Sequence, residues 1–175
     1  MQEQNVYAEI LMIIALLFFC LGLVTKFIGF TQFERLNGIL SGEIIFKTEL
    51  IEIENEEYKL KEIKRIEISN EDYKGKRINY TSGNLGPALS NGTGNFLLII
   101  LNIEKSIKVN FEMINSNDIQ KIRKELINYH INSKVDFWSL AHILGEESTE
   151  EIAELTSEIE KYSTTANSGL AQLGF

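Results

Sequence analysis

The chain has 175 residues, 44% of them hydrophobic, with 25 acidic against 17 basic side chains and a formal net charge of −8. That balance argues against nucleic acid as a partner, because neutralising phosphates demands a net basic footprint, and against broad adhesion to anionic lipid. The single cysteine, Cys20, leaves no internal disulfide and no cysteine-based metal cluster.

The first element is apolar. Ile10 to Val24 reads ILMIIALLFFCLGLV, with Glu9 before it and Thr25-Lys26 after it. A hydrocarbon core of ~30 Å needs roughly 20 mostly apolar residues in a helix, and residues 7–30 supply them. A cleaved signal peptide would open on basic residues and close on a small-residue site; MQEQNVYAE has neither Lys nor Arg. A buried core helix would be apolar on one stripe only. A retained anchor is the expectation, with residues 1–6 outside. Lys26 and Arg35 follow the helix and no base precedes it, which places the rest of the chain in the cytoplasm.

After a connector over 31–37 the period becomes two. GILSGEIIF (38–46) reads as a strand. Ile51 and Ile53 alternate with Glu52 and Glu54, a turn falls at Asn55-Glu56, and Tyr58 and Leu60 continue the alternation. Over Ile63–Ser69, Ile66 and Ile68 face inward and Arg65 and Glu67 outward. Alternation of this kind marks antiparallel strands with one solvated face. Residues 70–95 are rich in Gly, Asn and Ser, with a short strand expected over 77–80. FLLIIL (96–101) is apolar on both faces, so a cover over its second face is expected. Asn102 to Lys105 makes a hairpin turn, and Ile107, Val109, Phe111 and Met113 face inward on the next strand.

At Asn115-Ser116 the period turns helical, and either residue can cap the helix. Ile119, Ile122, Leu126 and Tyr129 form one stripe, the expected cover for 96–101. Val135–Leu144 is a second helix, stopped by Gly145. Ser148 to Glu151 is a capping box opening a third, whose stripe is Ile152, Leu155, Ile159 and Tyr162, with fraying expected after 162. Charge is uneven: residues 31–135 hold 15 acids and 15 bases, whereas 136–175 hold eight acids and one lysine.

The phrases GILSGEIIF, YKLKEIKRIEIS, NEDYKGK, GTGNFLLIIL and IKVNFEM, followed by the helix ending INYH, resemble bacterial pleckstrin-homology-like domains attached to a membrane segment. The resemblance covers roughly 36–131. It implies an α+β domain over 31–131, an antiparallel β-barrel or sandwich of about seven strands capped by a C-terminal amphipathic helix. An acidic helical tail over 132–175 follows. It also implies a bacterial inner-membrane location and a role in binding, with no catalysis.

Two sets of candidate residues follow. Lys74, Lys76 and Arg77 form a basic knot in a loop, and such residues can hold a phosphate by charge-assisted hydrogen bonds. They would serve lipid-headgroup recognition at the inner leaflet, with Glu71 and Asp72 partly cancelling the field. Phe137 and Trp138 are of the type enriched at interfaces, and with Ile152, Leu155 and Ile159 they make a candidate partner face. The narrow stripe of the third helix must dock on the barrel or on a partner. No nucleophile has a recognisable base nearby, and His130 and His142, twelve apart, are not a helical zinc pair. Neither a cofactor nor a metal is expected. The expected role is a membrane-anchored binding or scaffolding module, with the bilayer engaged through 7–30 and a protein partner on the domain.

Overall fold

A computed structural model describes residues 2–36, 38–78 and 86–172, with side chains described from 7 to 164 among them. The chain divides into two compact units. One comprises Met1–Asn37 with Gly75–Asn91, and the other Gly38–Lys74 with Gly92–Phe175.

The first unit is built on the apolar helix α1, Gln2–Thr31. Within it, Tyr7–Thr31 is long and apolar enough to cross a membrane, and every residue from Tyr7 to Thr25 is exposed. At its end the connector expected over 31–37 is hydrogen-bonded to a later segment. The amide of Ala88 donates to the Gly29 carbonyl (3.0 Å), that of Leu89 to Gln32 (3.1 Å), and that of Glu34 to Leu89 (2.8 Å). The Glu34 carboxylate then accepts from the Ser90 hydroxyl at 3.0 Å and the Asn91 amide at 3.2 Å. A carboxylate accepting two such bonds holds the chain after α1 against the short strand Leu89–Asn91.

The second unit begins with a three-stranded antiparallel sheet: β1 (Ile44–Phe46), β2 (Leu50–Ile53) and β3 (Glu56–Lys59). Only the last three residues of the expected first strand are extended in a ladder. Ile53 pairs with Glu56, so the turn is Glu54-Asn55, one residue earlier than the spacing suggests. Both turn residues have positive φ (50° and 70°). That is the twist a two-residue hairpin requires, and Asn tolerates it. A single 3₁₀ turn, Leu60–Glu62, buries Leu60 and leads into β4, Ile63–Ser69.

The second sheet has the order β4-β7-β8, with β7 at Asn95–Leu101 and β8 at Ser106–Phe111. Between β4 and β7 lie β5 (Lys74–Arg77) and β6 (Leu89–Asn91), a two-stranded pair, and the boundary between the units falls inside β5. The described residues thus carry eight strands in three sheets with no closed barrel, where a barrel or sandwich of about seven strands was expected. Part of the strand expected over 77–80 lies outside the described residues.

Alternation decides the core. Ile51, Ile53, Ile63, Ile66, Ile68, Leu97 and Ile99 are all buried, and α2 (Arg123–Ile131) adds Leu126, Ile127 and Tyr129 to the same cluster. The Tyr129 hydroxyl donates to the Lys47 carbonyl at 2.7 Å, and Asn128 Nδ2 to Thr48 at 2.8 Å, so α2 grips the β1–β2 turn. The second face of β7 is not sealed. Phe96, Leu98 and Ile100 are half-buried there, with the Lys108 ammonium 4.1 Å from the Phe96 ring centre and Arg65 paired to Glu67 at 3.3 Å. Aliphatic stems of charged residues shield an apolar strip in this way while their heads stay in water.

The expected tail is part of this core. Helix α3, Phe137–Leu144, buries Leu140, Ala141, Ile143 and Leu144, and α4, Thr149–Gln172, buries Leu155. Arg123 ties α4 down, with Nη1 2.6 Å from Glu146 and Nε 2.8 Å from Glu158. The helix continues to Gln172, beyond the end expected at 162.

Carboxylates hold the chain at the starts of α3 and α4 and in the turn that leads into α2. Asp118, and not Asn115 or Ser116, accepts the Ile114 and Asn115 amides at 2.9 and 2.8 Å before the 3₁₀ turn Asp118–Ile122 that leads into α2. Asp136 accepts the Ser139 amide at 2.9 Å, and Glu151 that of Ser148 at 2.9 Å. The Lys121 ammonium, then the Asn115 and Ile114 amides, hold Asp118 down at about 2. The Ser139 hydroxyl and amide lower Asp136, and the Ser148 amide and hydroxyl lower Glu151. A carboxylate depressed on folding stabilises the fold above its unfolded value, and that stability is lost as pH falls through the folded one. The thermal midpoint should therefore hold from neutral pH to about pH 5 and drop between about pH 4 and pH 2. Asp118→Asn should lower the neutral midpoint and flatten the drop. An acid drop of equal size in Asp118→Asn would refute the role given to this residue.

Candidate functional site

The basic knot lies in strand β5, not in a loop. Lys74 belongs to the second unit and Lys76 and Arg77 to the first. The Lys74 ammonium lies 3.4 Å from Glu112 Oε1. Upstream, Asp72 is engaged in the turn that precedes β7, accepting the Gly94 amide at 2.8 Å.

That turn is organised by Asn95, whose side chain is buried. Its Oδ1 accepts the Asp72 amide at 2.9 Å, and its Nδ2 donates to the carbonyls of Asp72 and Gly92, each at 2.9 Å. Both ends of the amide are satisfied, which is the condition for burying it without a penalty. Part of the glycine-rich stretch is therefore a locked turn; residues 79–85 lie outside the described ones.

Of the five residues expected to face a partner, four are taken up internally. Leu155 is fully buried, and Phe137, Ile152 and Ile159 pack on the core. Trp138 alone projects, 72% exposed, with the Phe137 ring edge-on at 5.3 Å. The histidines are local. His130 Nδ1 is 2.9 Å from the Val135 carbonyl, and His142 Nε2 is 3.5 Å from Glu71. No group of three His, Cys, Asp or Glu among the described residues is placed to hold a metal ion.

A second surface was not foreseen. The outer edges of β1 and β8 carry no paired strand among the described residues, and a cleft of about 320 Å³ is lined by both strands. Its floor is formed by Ile44, Phe46, Val109 and Phe111, all half-buried. Their cross-strand partners on the inner strands are sealed: Ile53 opposes Ile44, Ile51 opposes Phe46, Leu97 opposes Val109 and Asn95 opposes Phe111, and these four are at most 6% exposed. The floor is thus the inward face of two edge strands left without a neighbour. Glu43, Glu54 and Glu112 also line the cleft, and no Lys, Arg or His does. Strand patterning does mark Ile44, Phe46, Val109 and Phe111 as inward. What it lacks is any signal for which strands end a sheet.

Comparison with family models, with curated proteins and with solved structures finds no match to this chain.

Proposed function

We propose that the chain is a single-pass membrane protein whose PH-like domain binds protein partners at the cytoplasmic face and catalyses no reaction. One observation carries the reading: a 25-residue apolar helix, Tyr7–Thr31, exposed from Tyr7 to Thr25, in the same chain as a domain with its own core. At 1.5 Å per residue that helix is about 37 Å long, more than the ~30 Å of a hydrocarbon core. Side chains such as Phe18 and Phe19, 71% and 64% exposed, are at home in lipid and not in water. The PH-like reading is supported by antiparallel strands that follow one another in the chain and by α2 after the last strand, which packs Leu126, Ile127 and Tyr129 into the core. The exposed Trp138 and the open cleft are the surfaces this reading assigns to a partner.

The test is photo-crosslinking of the full-length protein in its own membranes. A photoreactive residue replaces Trp138, Asn110 in the cleft, or Glu154 on the exposed face of α4 as control. A discrete crosslinked protein from position 138 or 110, absent from 154, is the expected result. No crosslinked protein from either, at matched expression, would overturn the reading. Removing 136–175 would not serve as a test, because α3 and Leu155 are part of the core.

A further inference from the structure

We infer that the cleft between β1 and β8 is a strand-addition site, where an extended peptide segment with alternating basic and apolar residues pairs with the outer edge of β8. This rests on the protein-binding reading above and names the partner's chemistry. Three observations converge. First, β8 offers a six-residue edge with no strand paired to it among the described residues. Such a row of amides and carbonyls templates an added strand, and main-chain pairing is a general source of affinity for extended peptides. Second, the inward side chains of the two facing edges are half-buried, whereas their neighbours one strand further in are sealed. A strand laid along β8 would place every second side chain on Ile44, Phe46, Val109 and Phe111, completing that face. Third, the rim carries charge of one sign. Glu43, Glu54 and Glu112 line the cleft without a basic residue among its lining, and among the described residues only Glu112 is paired with a cation, Lys74 at 3.4 Å. Like charges facing one another disfavour an acidic strand and favour a basic one. A peptide lysine at Glu112 would share or displace Lys74.

The edge also has the features of one guarded against unwanted pairing, since charged residues blunt sheet edges. On the cleft side the guard is Glu43, Glu54 and Glu112, which would repel acidic segments and admit basic ones, while Lys108 of β8 turns its ammonium to Phe96 on the other face of the sheet.

The experiment uses the full-length protein in non-ionic detergent micelles and a fluorescent, acetylated octapeptide of alternating lysine and valine. Fluorescence anisotropy should show saturable binding. The matching glutamate–valine peptide should bind at least tenfold more weakly, and so should a lysine–valine peptide N-methylated at alternate residues to block the ladder. Glu43→Lys with Glu112→Lys should cost at least tenfold, at unchanged circular dichroism. Amide exchange over 106–111 should slow on addition of the peptide. Absence of binding, or binding indifferent to N-methylation or to the charge reversals, would overturn the inference. So would protection of 106–111 without peptide in a sedimenting dimer, which would make the occupant a second copy of this chain. Crosslinking from position 138 with none from 110 would remove this inference and leave the proposed function standing.

Discussion

Gly92→Ala should destabilise the second unit by about 3–5 kcal/mol, the largest effect expected of any single methyl group in the chain. Gly92 is buried and has φ +76°, a backbone region that L residues rarely occupy. A Cβ there would meet the carbonyl oxygen of Met113 and the backbone nitrogen of Lys74. Neither can retreat. Lys74 donates to Met113 O at 2.9 Å, Met113 donates back to Gly92 O at 2.9 Å, and the Asn95 side chain holds the same Gly92 carbonyl. Gly145 provides the comparison. It has φ +71° at the end of α3, but nothing lies within 4 Å of its added Cβ. Gly145→Ala should therefore cost only the conformational term, about 1 kcal/mol. Denaturant midpoints of the two variants separate steric clash from backbone strain. Equal losses would show that the contacts drawn around Gly92 are wrong.

Leu155→Ala should cost about 3 kcal/mol, within the range for emptying a buried leucine site. Leu155 is fully buried, one turn from the Arg123–Glu158 pair. Thr156→Ala, on the exposed side of the same turn, should stay within about 0.5 kcal/mol. The readout that isolates docking is amide exchange along α4. Leu155→Ala should raise exchange from Thr149 onward more than in β4 or β7. If α4 exchanges as fast in the wild type as in the variant, it is not docked on this core, and the partner face over Ile152, Leu155 and Ile159 would be open after all.

These two positions show how much was legible. Alternation in IKRIEIS places Ile66 and Ile68 in the core and gives the limits of β4 as observed. The capping box at Ser148–Glu151 and the stop at Gly145 are local chemistry, readable from neighbours in the chain, and both are present. What escaped depends on pairings across long separations. The strand Leu89–Asn91 has no apolar alternation of its own, and besides pairing with β5 it is held by the Glu34 carboxylate, more than fifty residues away. Neither Asn115 nor Ser116 caps the turn into α2: its N-cap is Asn117, without a side-chain bond, and the Asp118 carboxylate instead takes the Ile114 and Asn115 amides before it. The stripe Ile152, Leu155, Ile159 announces an amphipathic helix but carries nothing about what it meets. FLLIIL reads as buried on both faces because apolar content alone cannot register that Lys108 and its neighbours supply the cover. The cleft was invisible for a similar reason: an edge is a property of strand order, which residues 38–46 and 106–113 do not encode separately.

The central claim is that the apolar helix spans the bilayer and holds the folded domain on the cytoplasmic side. Its most direct test is thiol labelling of single-cysteine variants in intact cells with a membrane-impermeant reagent. In a Cys20→Ser background, Gln4→Cys should be labelled from outside, and Asn132→Cys, exposed after α2, only after the membrane is opened. Labelling of both positions from the same side would contradict a spanning helix. The reverse pattern would keep the span but invert the orientation inferred from Lys26 and Arg35, and would remove the cytoplasmic setting on which the proposed function rests.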